Sequence, residues 1–415
     1  MKKIHDPIVL EILELFSTIH ESAWLVGGCV RDMILEKEIH DIDITTSAEP
    51  EVTMHLFQQH SYKVIPTGLK HGTVTVMKNN FSVEITTYRT EQSYIAHRAP
   101  ESVSFTKSLT EDLKRRDFTM NAIAWHPIHG FQDPFHGQED IKNKYIRCVG
   151  NADERLQEDA LRILRAIRFH CTLHFSLDSS LYKAIKNNAH LLSYISKERI
   201  QSEFNRILLQ DYPDTLLFLI QMNVMQHIWT NYLSDIQPAD INKINQIVNH
   251  TNSYPLESKL AILLHTFPES KAEVYLKELK YDKKTIRKTL MRIRYLSFSI
   301  SKDTAVLRLF ASFFHNDMEE ILSCISIILA FRQAASRNID DILACKEELL
   351  RMYENKEFIS MQDLVFNGND LRQMFHLEGS AIGEMLNKLY LYVLENPTRN
   401  TIEQLSAFIE DELKK

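Results

Sequence analysis

The chain has 415 residues, 44% of them apolar, and a formal net charge of −7. That length allows two to four domains, and the apolar share permits a sizeable core and excludes a disordered chain. The acidic balance counts against a generally basic nucleic-acid binder but leaves room for local basic patches.

No long uncharged apolar run is present, so a transmembrane helix is not expected. The opening MKKIHDPIVLEILELF carries acidic residues where a signal peptide would be apolar. Cys29, Cys148, Cys171, Cys324 and Cys345 are odd in number, widely spaced and without a C-x-x-C pair, which points to a reducing cytoplasm and away from structural zinc.

Glycine divides the chain. Seven of the ten glycines lie in residues 1–150, none in 151–367, and the last three are Gly368, Gly379 and Gly383. The first stretch also has alternating or β-branched runs, GTVTVM at 72–77 and FSVEITTY at 81–88. The expected fold is an α+β head followed by an all-α remainder in an elongated, multi-domain chain. The expected boundaries are 1–150, 151–212, 213–300 and 301–415. Helices are expected over 154–170, 198–209, 214–230, 257–268, 304–331, 339–354 and 384–395.

The first chemistry in chain order is LVGGCVRDMILEKEIHDIDITT at 25–46. A glycine turn at Gly27 and Gly28 lets backbone N–H groups approach a phosphate closely. Arg31 follows, and then Asp41 and Asp43, which on a strand project from the same face. Two carboxylates beside a phosphate-binding turn are what two-metal phosphoryl transfer requires. Alone, Gly-Gly is an ordinary turn and Asp-x-Asp a solvated strand edge. Glu84, in VEITTYR, is either a third carboxylate on a neighbouring strand or an ordinary strand residue.

Residues 89–105 are polar, contain a proline and show no clear periodicity, so a loop is expected there. KRRDFTMNAIA at 114–124 combines Arg115, Arg116, Asp117 and Asn121: guanidinium forks suit triphosphate oxygens, and Asp or Asn suits a ribose hydroxyl. FQDPFHGQEDI, with Asp133, Pro134, Gly137 and Asp140, reads as a structural turn. In EDALRILRAIRF at 158–169, Asp159 and Arg162 are i, i+3 neighbours on a helix, with Arg165 and Arg168 continuing the row. SKERIQSEFNRIL at 196–208 offers Ser196 as an N-cap, with Arg199, Glu203 and Arg206 on one side. At 367–386, Gly368 and Gly379 mark either helix C-caps or a helix–turn–helix touching a nucleic-acid backbone.

A glycine turn, a short helix and an Asp-x-Asp strand, in that order, resemble the nucleotidyltransferase superfamily that includes DNA polymerase β. GGxVRD, DxDxxT, RRDFTxNA and ED-x-x-R resemble its class II branch, the tRNA CCA-adding enzymes and bacterial poly(A) polymerases. With FQDPFHGQEDI and SKERIQSEFNRIL, and GGxVRD and DxDxxT counted as one, the resemblance covers residues 20–210 with five motifs in order, and NG-x-DL…G…IGE-x-L extends it weakly toward the C-terminus. It implies a polymerase β-like mixed sheet in the catalytic head, a helical neck that reads the nucleotide base, a helical body, and a tail that binds tRNA.

The resemblance further implies Asp41 and Asp43 as catalytic Mg²⁺ ligands. Gly28, Arg31, Arg116, Asp117, Asp159, Arg162, Arg165 and Arg168 would be the nucleotide-binding residues. Asp159 and Arg162 would read the base in place of a template. Cytosine and adenine both present an amino donor beside a ring-nitrogen acceptor, which a carboxylate and a guanidinium match. Uracil and guanine would turn a carbonyl toward the carboxylate, at about 1–3 kcal/mol. Glu158 would hold the Arg162 fork. Arg98 and Pro100 match the loop pattern of enzymes that complete the terminal A, and Ala99 departs from it.

The implied activity is addition of C, C and A to the 3′ end of tRNA from CTP and ATP, by a monomer or homodimer. An A-adding enzyme, a poly(A) polymerase and, more remotely, a non-catalytic RNA-binding protein are the alternatives. The tail FIEDELKK lacks the basic extension common in poly(A) polymerases.

Overall fold

The computed structural model describes residues 6–79, 81–95, 99–251 and 253–414. Arg98 lies outside them. Two compact units divide at Asp235/Ile236.

The first unit opens with α1 (Pro7–Thr18), capped by the Asp6 side chain accepting from the Ile8 N–H at 2.9 Å, with Pro7 in the first turn. Val9, Ile12, Leu13 and Phe16 form its buried stripe. β1 (Ala23–Val26), α2 (Gly28–Ile34), β2 (Asp43–Thr46), α3 (Pro50–Gln59), β3 (Lys63–Gly68), β4 (Thr73–Lys78) and β5 (Phe81–Thr87) follow. After a hairpin of β6 (Arg89–Ile95) and β7 (Ala99–Phe105) come α4 (Leu109–Lys114), β8 (Ala124–His126) and β9 (Gly130–Gln132).

The main sheet runs β3-β4-β5-β2-β1-β8-β9. It is mixed: β2 pairs parallel with β5, and every other neighbouring pair is antiparallel. The parallel register sets Asp43 opposite Glu84. Along β5, Val83, Ile85 and Thr87 point into the core while Ser82 and Glu84 are exposed, the period of two that their sequence shows. Phe16 of α1 meets Phe57 of α3 edge-on, with centroids 5.4 Å apart.

Residues 89–95 and 99–105 are two antiparallel strands rather than a plain loop, with Arg89 opposite Phe105 and Ile95 opposite Ala99. Cross-strand backbone pairing organises a segment whose side chains carry no periodic signal. The hairpin root rests on Gly72, a left-handed residue whose Cβ would lie 2.8 Å from the Phe105 ring.

Helices α5 (Gly137–Asn143), α6 (Ala152–Glu158), α7 (Leu161–Leu173), α8 (Ser179–Asn188) and α9 (Lys197–Leu208) continue the unit, with a two-residue parallel pair between α5 and α8. The expected single helix at 154–170 is two, because Asp159 leaves the helical region at φ −135°, ψ 101°. Its carboxylate then accepts from the Leu161 N–H at 3.1 Å and starts α7. Aspartate competes with helical backbone bonding and favours helix starts, which periodicity does not register. The expected 214–230 helix is likewise α10 (Thr215–Gln221) and α11 (Met225–Ile228), before α12 (Tyr232–Asp235) closes the unit.

The second unit is helical throughout. It comprises α13 (Pro238–Val248), α14 (Leu256–Leu264), α15 (Glu269–Glu278), α16 (Lys283–Tyr295), α17 (Thr304–Phe313), α18 (Met318–Ala334), α19 (Asp340–Glu354), α20 (Gly368–Phe375), α21 (Ser380–Glu395) and α22 (Ile402–Leu413). One core gathers Leu307, Phe310, Ile321, Ile325 and Leu349, and another Leu371, Leu389, Val393, Leu405 and Ile409.

The span 304–331 is broken because His315 and Asn316 are left-handed and Asp317 caps α18. In this glycine-poor stretch His, Asn, Ser and Lys take the left-handed positions that glycine usually fills. Gly368 and Gly379 open helices rather than close them: Asn367 caps α20 in a capping box with Asp370, and Gly379, at φ 56°, precedes α21. Among the described residues no helix is long and apolar enough to cross a membrane.

Candidate active site

β1 ends just before Gly27, whose φ 79° and ψ −135° are open essentially to glycine. A Cβ there would lie 3.4 Å from Arg116 Nη1 and 3.7 Å from Asp43 Oδ2. The turn therefore brings an arginine and a carboxylate together over bare backbone. β2 carries Asp43 at its first residue, and Asp41 stands two residues ahead, with the ladder extended by Glu84 N–H donating to Ile42 at 3.3 Å.

Burial raises the Asp43 carboxyl above its usual range. The Glu84 and Asp41 charges push the same way, and Arg116 opposes them. The Asp41 and Glu84 charges that act on Asp43 are ones a divalent cation would relieve. Among the described residues, no three His, Cys, Asp or Glu side chains could by themselves hold a metal ion. Phosphate oxygens and water would complete the shell, the ordinary mode of Mg²⁺.

A cleft of about 640 Å³ opens beside this turn. Gly28, Arg31, Asp43, Arg116, Asp117, Asp159, Arg162, Arg165 and Arg168 all line it; Asp41 is exposed nearby. The structure thus brings together residues spread over more than a hundred positions.

Arg31 is gripped from two sides. Its Nε and Nη2 donate to Asp32 at 2.9 and 3.0 Å, and its Nη1 to Asn121 Oδ1 at 2.9 Å. Both Asp117 oxygens accept from protein donors at the edge of this cleft. Oδ1 takes the Phe118 N–H at 2.8 Å and Asn121 Nδ2 at 3.2 Å. Oδ2 takes Arg165 Nε at 2.9 Å and Nη2 at 2.6 Å. Although burial pushes its carboxyl up, Arg165 and these hydrogen bonds bring it down to about 2.

Asp159 and Arg162 do not share a helix, yet both face the cleft. Asp159 Oδ2 accepts from Arg199 of α9 at 3.1 Å. Arg162 donates through Nη1 to Glu158 at 2.6 Å and to the Arg155 carbonyl at 2.9 Å, so Glu158 does hold the fork. Arg168 pairs with Glu203 of α9 at 3.0 Å, which ties that helix to α7. Ser196 occupies the α9 N-cap, although its side chain makes no capping bond. Asp133 caps α5 through the Gly137 and Gln138 N–H groups at 2.7 and 2.9 Å, the structural turn expected there.

Sequence reasoning passed over several participants. Asp112 is wholly buried and collects four donors: Thr45 Oγ1, the Arg89 N–H, Arg115 Nε and Arg116 Nη2. Its spacing of three and four before two arginines was the available signal. Glu91, from the hairpin, pairs with Arg89 at 3.1 Å and Arg115 at 3.2 Å, and no local pattern announces it. Phe169 places its ring among the Arg31, Arg165 and Arg168 guanidiniums, 5.1, 5.7 and 4.7 Å from its centroid.

Residues 23–147 match the family model described as the poly A polymerase head domain. Residues 174–230 match the model described as "Probable RNA and SrmB-binding site of polymerase A", and 256–409 the one described as "tRNA nucleotidyltransferase domain 2 putative". The CCA-adding enzyme of Streptococcus uberis is 32% identical over 411 residues, covering 98% of this chain and 96% of that protein. That of Bacillus cytotoxicus is 34% identical over 404 residues, covering 96% and 97%. The crystal structure of the Bacillus stearothermophilus CCA-adding enzyme in complex with CTP superposes with a TM-score of 0.81 at 29% identity, covering 98% and 97%. The Thermotoga maritima CCA-adding enzyme complexed with tRNA shares the fold, with a TM-score of 0.66 at 20% identity over 98% of this chain and 96% of that one.

Proposed function

The chain belongs to the class II tRNA nucleotidyltransferase and poly(A) polymerase family, and on that premise we propose that it adds C, C and A to the 3′ end of tRNA, using CTP and ATP. One observation carries the reading. The Asp43 carboxylate, the guanidiniums of Arg31 and Arg116, and the Asp159–Arg162 pair all face one cleft. Such a cleft has a place for phosphates, for a reacting centre and for a base edge.

In this reading the tRNA 3′-hydroxyl attacks the α-phosphorus, a new P–O bond forms, and the bond to the β-phosphate oxygen breaks to release pyrophosphate. Asp41 and Asp43 would hold two Mg²⁺ ions, which when bound supply a lowered pKa at the hydroxyl and neutralise charge on the leaving pyrophosphate. Arg116, anchored by Asp112, and Arg31, anchored by Asp32, bind the triphosphate in line with the Gly27–Gly28 turn. Asp159 accepts from the exocyclic amine of C or A while Arg162 donates to the ring nitrogen. Arg199 and Glu158 keep those two groups from rotating. Arg165 and Arg168 face the same cleft from α7.

The four-part division at 150, 212 and 300 into head, neck, body and tRNA-binding tail belongs to this proposal. So does a cytoplasmic location, supported by five buried, unpaired cysteines.

The test offers tRNA transcripts ending before CC, after C and after CC, each with CTP, ATP or both, and sequences the products. Completion of CCA on all three is expected. Addition of A only to the CC-ended transcript would instead identify an A-adding enzyme, and long A tails on unstructured RNA a poly(A) polymerase.

A further inference from the structure

We infer that Asn121 is a positioning residue that couples the helix reading the nucleobase to the arginine gripping the triphosphate. The inference rests on the nucleotide-transfer reading above. Asn121 is buried, and its two amide atoms are used in opposite senses. Oδ1 accepts from Arg31 Nη1 at 2.9 Å and Nδ2 donates to Asp117 Oδ1 at 3.2 Å. Chemistry forces that orientation: a guanidinium can only donate and an ionised carboxylate can only accept. A side chain at this point must therefore offer an acceptor on one side and a donor on the other. Aspartate would set two carboxylates face to face, and alanine would cost Arg31 Nη1 its acceptor and Asp117 Oδ1 one of its two donors.

The chain of bonds continues in both directions. Asp117 Oδ2 takes both Nε and Nη2 of Arg165, so the orientation of that carboxylate follows α7. At the other end Arg31 is a residue of α2, just after the glycine turn. Arg165, Asp117, Asn121 and Arg31 thus form one ordered path across the cleft that all four line. Phe169 touches both end guanidiniums, but a ring face does not fix how a fork is rotated; the amide does. A shift of α7 on accepting a base moves Arg165, turns Asp117, and re-aims Arg31 at the phosphates. Base recognition and phosphate grip then become linked quantities.

Equilibrium binding of CTP, and separately of inorganic tripolyphosphate, tests this on the full chain by titration calorimetry. The variants are Asn121→Ala, Arg165→Ala and the double variant. Each single change should weaken CTP binding by about tenfold, the scale of one charge-assisted hydrogen bond. The double variant should lose little beyond the larger single loss, because both changes cut the same path. Tripolyphosphate, which has neither base nor sugar, should follow the same pattern. Asn121→Asp is the near-isosteric companion. It keeps an acceptor for Arg31, loses the donor to Asp117, and should abolish the Arg165 dependence in the same way.

Losses that multiply to about a hundredfold in the double variant would overturn the inference, since independent contacts behave so. So would tripolyphosphate binding indifferent to Arg165→Ala. A wild-type chain that binds no CTP would overturn the nucleotide-transfer reading and this inference with it, whereas CTP binding with additive losses overturns this inference alone.

Discussion

Asp117→Asn removes one negative charge from a buried point where four N–H groups converge. In the folded chain this carboxyl lies at about 2, against 3.8 for an unperturbed aspartate. At 1.36 kcal/mol per pH unit, that difference is worth about 2 kcal/mol of stability at neutral pH. Because the folded value is the lower one, the contribution is complete above 3.8 and fades as pH falls toward 2. About half of it is gone by pH 3. The Asn amide also turns a donor toward groups that are already donors, which adds about 1 kcal/mol to the loss at pH 7.

Urea unfolding of wild type and variant, followed by circular dichroism at fixed ionic strength, measures the gap from pH 7 down to pH 3. An unchanged m-value would show that folded stability alone has altered. A gap of about 2–4 kcal/mol at pH 7 that narrows steadily below pH 4 is expected. A gap under about 1 kcal/mol, or one that stays constant with pH, would refute the view that the Arg165 pair stabilises the ionised carboxylate.

Gly27→Ala should cost about 1–3 kcal/mol through backbone strain alone, since its Cβ meets Arg116 and Asp43 only at ordinary contact distances. Thermal melts would register that loss, and CTP affinity should fall with it, because the methyl occupies the space over the turn. Arg116→Gln removes a charge that opposes the upward displacement of Asp43, so the acidic limb of a single-turnover pH profile should move to higher pH at fixed metal concentration. An unmoved limb would separate Arg116 from Asp43. In the second unit, Glu320→Gln removes the nearest counter-charge of the buried Arg292 and its neighbour Lys288, leaving Arg292 only the Glu257 pair at 3.8 Å, and should destabilise by about 3–5 kcal/mol. A change below about 1 kcal/mol in denaturant titration would contradict that pairing.

Much of this protein is legible in local pattern. Gly27 must be glycine because its backbone occupies a region other residues avoid, and that need is written in one letter. The period-two runs at 72–77 and 81–88 form β4 and β5, because alternate side chains of a half-buried strand meet opposite surroundings. The glycine-free stretch after 150 is helical, as short loops and apolar stripes dictate. Arg162, Arg165 and Arg168 need only helical spacing to share a face.

Other features exist only once the chain is folded. Asp159 leaves the helix it was expected to join because its carboxylate gains the Leu161 N–H, a competition between side chain and backbone that periodicity does not weigh. Residues 89–95 and 99–105 pair through bonds between two strands, neither of which has a signal of its own. Glu91 reaches Arg115 across 24 residues, and Asp117 reaches Arg165 across 48, because the folded chain sets them side by side. The sequence determined which chemical groups are present and the local geometry each one prefers. The tertiary structure decided which groups meet: a buried charge is stable only beside its partner, and that partner is chosen by packing rather than by position in the chain.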